Sequence, residues 1–114
     1  MYWVVEGILG TCAMREVTPK GAITVDVRDL EDGWNPPEKI RKKVDLILKC
    51  INMGVPVIIQ CAAGMSRSNA IAVTVLTRMN GKDWNENEKC VRNKVKRTQI
   101  EMSLRDACLE ALEE

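Results

Sequence analysis

Histidine is absent from all 114 residues of the chain. Cysteine–histidine and serine–histidine catalysis are therefore excluded, because the base is missing. Zinc sites that mix cysteine with histidine are disfavoured for the same reason, and no C-x-x-C pair occurs among the cysteines at 12, 50, 61, 90 and 108. Any proton donor or acceptor must then be a carboxylate or, less often, a lysine or tyrosine. Phenylalanine is absent too and tyrosine occurs once, so the core has to be mostly aliphatic. No apolar run approaches the ~20 residues that span a bilayer, so no membrane partner is expected. The opening Met1–Leu9 is apolar, but Glu6 interrupts it and no basic stretch precedes it, so it does not read as a signal peptide. The net charge of +1 names no partner. The cysteine count is odd, at five, and the expectation is a cytoplasmic protein with reduced thiols.

What is present is an ordinary globular composition, 46% apolar and 29% charged, over a length that suits one domain, residues 1–114, with a modest core. Residues 2–10 read as short strands about a turn at Glu6-Gly7, and Thr11–Val17 as one helical turn. Ala22–Val27 alternates and is β-branched, as a strand should be. Asn35-Pro36-Pro37-Glu38 predicts a helix start with Asn35 as N-cap, Pro36 at N1 and Glu38 at N3. Ile40, Val44, Ile47, Leu48 and Ile51 then share one helical face, and Gly54 ends the helix. Val55–Gln60 is apolar on both faces, as in a central parallel strand. A helix over about 68–79 is apolar nearly all round and should lie at the centre. Asp83 with Glu86 predicts a capping box for a helix running to about Arg97, and Ser103 opens a last helix to about Leu112. The pattern implies an α/β fold: a small, mostly parallel sheet of about four strands flanked by helices.

Between the apolar strand and the apolar helix lies Gln60-Cys61-Ala62-Ala63-Gly64-Met65-Ser66-Arg67-Ser68. A strand-to-helix turn of this length points successive backbone N–H groups inward, and the helix N-terminus adds positive charge, which together cradle an anion. Gly64 supplies the positive φ that such a cradle needs. Arg67 offers a planar fork for two phosphate oxygens. The same field stabilises a thiolate at Cys61, and Ser68 can hydrogen-bond the sulfur. A buried core thiol beside a helix cap is the plain alternative for Cys61. Glycine, serine and arginine at this spacing favour the nucleophile.

This run resembles the signature of the cysteine-based protein tyrosine phosphatase superfamily: Cys, five residues, Arg, then Ser or Thr. Glycine at the third intervening position and the closing Ser-Arg-Ser look like its dual-specificity branch. Val5-Glu6-Gly7-Ile8-Leu9-Gly10 resembles the opening strands of those enzymes, and Asp83–Arg97 their penultimate helix. The resemblance implies a minimal dual-specificity phosphatase-like domain that hydrolyses phosphomonoesters through a cysteinyl-phosphate. Cys61 would be the nucleophile, Arg67 the phosphate clamp and Ser68 the aid to thiolate departure. The backbone of Ala62, Ala63, Gly64, Met65 and Ser66 would bind phosphate. The acid of these enzymes sits on an upstream loop, and Glu31-Asp32-Gly33-Trp34-Asn35-Pro36-Pro37 matches that place. Asp32 is the first choice for it, then Asp29, then Asp26. The implied partner is a phosphorylated protein, carrying phosphotyrosine or phosphoserine/threonine, met by a monomer with no cofactor and no metal.

Three departures stand out. Gln60 replaces the histidine that usually precedes the cysteine, so weaker activity or a higher pH optimum is expected. The stretch before Ala22 is short, so the pocket wall should be low, which suits all three phosphoresidues. Asn69 is an unusual follower of the serine. The acid-loop segment is also similar to that of tensin-type phosphoinositide phosphatases, but those carry lysines where this chain has Ala62 and Met65, which argues against an inositol phosphate. The basic runs at Lys39–Lys49 and Lys89–Arg97 read as solvated faces; the second could meet acidic peptides or RNA 5′ ends if it lined the cleft. Aromatic stacking residues are scarce, so nucleic acid is not the expected partner. Trp34 would cover the substrate or pack under the loop. Cys12, Cys50, Cys90 and Cys108 read as core residues. The competing functions are an RNA 5′-phosphatase and a catalytically weak phosphate-binding module.

Overall fold

A computed structural model of the chain describes residues 1–113. Four strands, β1 (Tyr2–Val5), β2 (Leu9–Ala13), β3 (Ile23–Asp26) and β4 (Val57–Cys61), form one sheet in the order β1-β2-β4-β3. Four helices accompany it: α1 (Pro37–Asn52), α2 (Arg67–Asn80), α3 (Trp84–Lys94) and α4 (Met102–Leu112). The β1–β2 pair is antiparallel, whereas β4 runs parallel to both β2 and β3. The expected α/β architecture is therefore present, and among the described residues no helix is long and apolar enough to cross a membrane.

The centre of the sheet follows from the run Val57-Ile58-Ile59, fully buried on both faces. Helix α2 packs on β2 and β4 and touches each of the other helices, so every residue from Ser68 to Leu76 is buried. Helix α1 is amphipathic instead, with Ile40, Val44 and Ile47 inward and its lysines outward. Helix α3 is tied to α2 by the Trp84 indole, whose Nε1 donates to Thr74 Oγ1 at 3.1 Å.

Several local expectations give way to tertiary partners. Thr11–Ala13 extends β2 rather than turning into a helix, because β4 offers these residues a parallel ladder out to Cys61. Asn35 does not cap α1; Pro36 takes that position, and Asn35 folds back into its own loop. Asp83 makes no side-chain cap on α3, and that helix ends at Lys94 rather than Arg97. Helix α4 is capped by Glu101, not Ser103: the Glu101 carboxylate accepts the N–H groups of Ser103 and Leu104.

Candidate active site

Strand β4 ends on Cys61 and α2 begins at Arg67, so Ala62–Ser66 must turn from sheet to helix in five residues. The turn wraps round the sulfur. Cys61 is 2% exposed, its Sγ lies 3.1 Å from Ser68 Oγ, and it accepts the Gly64 N–H at 3.2 Å. Gly64 has φ +68°, and a β-carbon there would sit 3.0 Å from the Ala13 nitrogen and 2.5 Å from Arg97 Nη2. Only glycine meets both demands. Gly64 faces the sulfur and the protein behind it rather than the cleft, whereas Ala62, Ala63, Met65, Ser66 and Arg67 line the cleft.

The Gly64 and Met65 carbonyls, on the back of the turn, are each held by two donors. Asn69, fully buried, donates its Nδ2 to the Gly64 and Met65 oxygens at 3.0 and 2.9 Å. That supplies the role which the sequence left without an account. The segment before α4 closes the far side: Gln99 N–H donates to Met65 O at 2.9 Å and Glu101 N–H to Ser66 Oγ at 3.0 Å. Arg97 adds a third hold, donating from Nε to Gly64 O at 3.2 Å.

Arg67 joins the turn to the loop across the cleft. Its Nη1 donates to the Arg28 and Leu30 carbonyls at 3.0 and 3.1 Å. Among the described residues Nε and Nη2 make no further hydrogen bond, so two donors of the fork remain for a ligand. The facing loop is braced by Asn35, 1% exposed, whose Oδ1 accepts the Glu31 N–H while Nδ2 donates to the Glu31 and Gly33 carbonyls. Asp32 stands at the tip of that braced loop.

A cavity of about 440 Å³ opens above Cys61, with Asp32 on one wall and Gln99, Ile100, Glu101 and Met102 on the other. The three candidate acids are thereby separated. Asp32 faces the cleft. Asp29 pairs with Lys43 at 3.0 Å, and Asp26 is gripped by Arg28, whose fork lies 2.7 Å from it and holds its carboxyl below the usual range. Trp34 neither covers the cleft nor packs under the loop: it is 52% exposed and its Nε1 reaches Glu110 at 3.4 Å.

The sequence matches no family model and no curated protein. A mutant form of Tk-PTP superposes with a TM-score of 0.80 at 16% identity, over 98% of this chain and 94% of that one. The fold is dual-specificity phosphatase-like. Human DUSP28 matches at a TM-score of 0.70 and 13% identity, over 94% of this chain and 77% of its own. PTPMT1 matches at 0.64 and 22% identity over 70% of this chain, which spans about half of it, 51%.

Within this dual-specificity phosphatase-like fold, three groups at the cleft or behind its turn have places that the sequence does not show. Asn69 stands out in the sequence only as an unusual follower of Ser68. The Gln99–Met102 wall carries no motif. Arg97 belongs to a basic run that reads as a solvated face, yet it doubly pairs with Glu16, at 2.6 and 2.9 Å. Its neighbours do not share that place: Lys94 donates to the Val4 carbonyl at 2.9 Å and Arg92 pairs with Glu88 at 3.2 Å. Of the other cysteines, Cys12 and Cys108 are buried, and Cys50 and Cys90 are half-buried, with all thiols free. Burial pushes the Cys108 thiol up to about 11 and, with the nearby Glu16 carboxylate, raises that of Cys12.

Proposed function

We propose that this chain is a cysteine-dependent phosphomonoester hydrolase acting on phosphotyrosine and phosphoserine/threonine of proteins, with residues 1–114 as its catalytic domain. The observation that carries the reading is the convergence on one cleft of Cys61, Arg67 and Asp32, with Arg67 Nε and Nη2 and the Asp32 carboxylate unpaired among the described residues.

The reaction follows from those groups. Phosphate oxygens are held by the inward N–H groups of the Ala62–Ser66 turn and by Arg67 Nε and Nη2. Cys61, as thiolate, attacks phosphorus in line with the ester oxygen; the S–P bond forms as the P–O bond breaks. Asp32 gives its proton to the departing oxygen, which leaves as an alcohol or phenol. Water then attacks the cysteinyl-phosphate, giving a proton back to Asp32 and releasing inorganic phosphate. The Ser68 hydroxyl, 3.1 Å from the sulfur, donates to the thiolate as it departs. The charge spread over equatorial oxygens in the loose transition state is what the preformed donors match.

The apolar side chains Ile100 and Met102 on the cleft wall, with no charged group beside them but Glu101, support a site that admits phosphoesters of different kinds. A reducing cytoplasmic setting suits a protein whose thiols are all free. The test is hydrolysis of para-nitrophenyl phosphate by the intact protein and by Cys61→Ser. Turnover that resists chelators and vanishes in Cys61→Ser is the expected result. Vanadate binding with no turnover by the intact protein would replace the enzyme with a phosphate-binding module.

A further inference from the structure

The Glu16–Arg97 pair has no part in the reaction as written, yet it is built into the back of the reactive loop. Arg97 Nη2 and Nη1 donate to Glu16 Oε1 and Oε2 at 2.6 and 2.9 Å, and Arg97 Nε donates to Gly64 O at 3.2 Å. One planar guanidinium therefore spans a carboxylate and the carbonyl of the residue whose own N–H points at Cys61 Sγ. Glu16 is itself held in place, because Oε1 accepts the Ala13 N–H at 2.7 Å. The turn that brings it there places Arg15 at φ +68°, a conformation that residues other than glycine adopt uncommonly. The same turn is fastened to the reactive loop by Met14 N–H, which donates to Ala62 O at 3.2 Å. The Arg97 guanidinium also lies 5.0 Å from the Tyr2 ring centre.

We propose that Glu16 and Arg97 are positioning residues whose ion pair orients the Gly64 peptide, so that its N–H is presented to the Cys61 sulfur. The inference rests on the reading of Cys61 as a nucleophile. It adds a link from the end of β2, through the segment after α3, to the thiolate. Arg97 has to be an arginine for this, since the ammonium of a lysine cannot hold both carboxylate oxygens and the Gly64 carbonyl in one plane.

A simple charge effect and a positioning effect differ in sign at Glu16. Removing a negative charge near Cys61 would by itself favour the thiolate and speed its alkylation. Releasing Arg97 would loosen the Gly64 N–H and slow alkylation. General loosening of the fold would speed it, because Cys61 is 2% exposed. The experiment is the rate of Cys61 alkylation by iodoacetamide at fixed neutral pH, followed by peptide mass, in the intact protein, Glu16→Gln and Arg97→Lys. Loss of one hydrogen bond to a charged sulfur predicts about tenfold slower alkylation in both variants. An unchanged or faster rate in either would overturn the proposal. The readout needs no turnover: a Cys61 slowed by these substitutions in a protein that hydrolyses no phosphoester would leave the positioning link standing and remove the phosphatase.

Discussion

Gly64→Ala tests the loop geometry most severely. The added methyl group meets three obstacles. At φ +68° a residue with a β-carbon adopts the left-handed region, which costs about 1–2 kcal/mol. The methyl would lie 2.5 Å from Arg97 Nη2 and 2.9 Å from Arg97 Cζ, so the guanidinium must move and surrender its bond to Gly64 O. That charge-assisted bond contributes about 1 kcal/mol, at the low end of its class because Arg97 is partly exposed. The third contact, 3.0 Å to the Ala13 nitrogen, is with backbone in β2 and cannot be relieved by a rotamer. The total is about 2–3 kcal/mol, which lowers Tm by roughly 10 °C or more in a domain of this size. Catalysis should suffer further, because the Gly64 N–H is the donor to Cys61 Sγ; losing one preorganised donor typically costs about 10²–10³ in kcat. Thermal unfolding and para-nitrophenyl phosphate turnover read the two effects separately. The double variant Gly64→Ala, Arg97→Ala should recover neither stability nor activity, because the positive φ and the Ala13 contact remain and the bonds of Arg97 to Gly64 O and Glu16 are gone. A single variant with unchanged Tm and turnover would refute the claim that the close approach and the positive φ shape the loop.

Other consequences can be checked independently. Asp32→Asn should lower turnover of an alkyl phosphate at least a hundredfold while costing an acidic phenol ester little, since only the poor leaving group needs the proton; equal losses on both would remove Asp32 as the acid. Asn69→Ala removes one of the two donors at each of the Gly64 and Met65 carbonyls, which keep Arg97 Nε and the Gln99 N–H, and should destabilise the fold by about 1–3 kcal/mol in denaturant melts; no change would mean that the remaining donors suffice. The Arg97 guanidinium, with the Ala13 N–H, holds the Glu16 carboxyl down at about 2 from its ordinary 4.5. Its contribution is therefore complete above pH 4.5 and lost as pH falls towards 2. Glu16→Gln should consequently show a shallower loss of Tm across that window than the intact protein, and parallel profiles would contradict the assignment.

The reactive loop was legible because its chemistry is contiguous. Cys61, Gly64, Arg67 and Ser68 lie within eight residues between two apolar elements, and a strand-to-helix turn of that length admits few geometries. The sheet was legible from Val55–Ile59, and α1 from its single apolar face. Helix boundaries were less so, because polar side chains near an end can choose between capping and tertiary partners. Asn35 took loop carbonyls instead of the α1 amides, and Glu101 outcompeted Ser103 at α4.

The sequence by itself determined where the candidate site lies: no histidine, one cysteine and one arginine at cradle spacing, and a buried strand and helix to hold them. Tertiary structure alone decided which distant side chains serve that cradle. Asp29 is drawn into a pair with Lys43 of α1, and Asp32 is left at the cleft. Arg97, 33 residues beyond Gly64, reaches its carbonyl, and Glu16, 81 residues away from Arg97, grips it there. The physical reason is range. Spacing along the chain encodes hydrogen bonds within one turn, whereas ion pairs and loop-to-loop contacts depend on where the packed core brings the backbone.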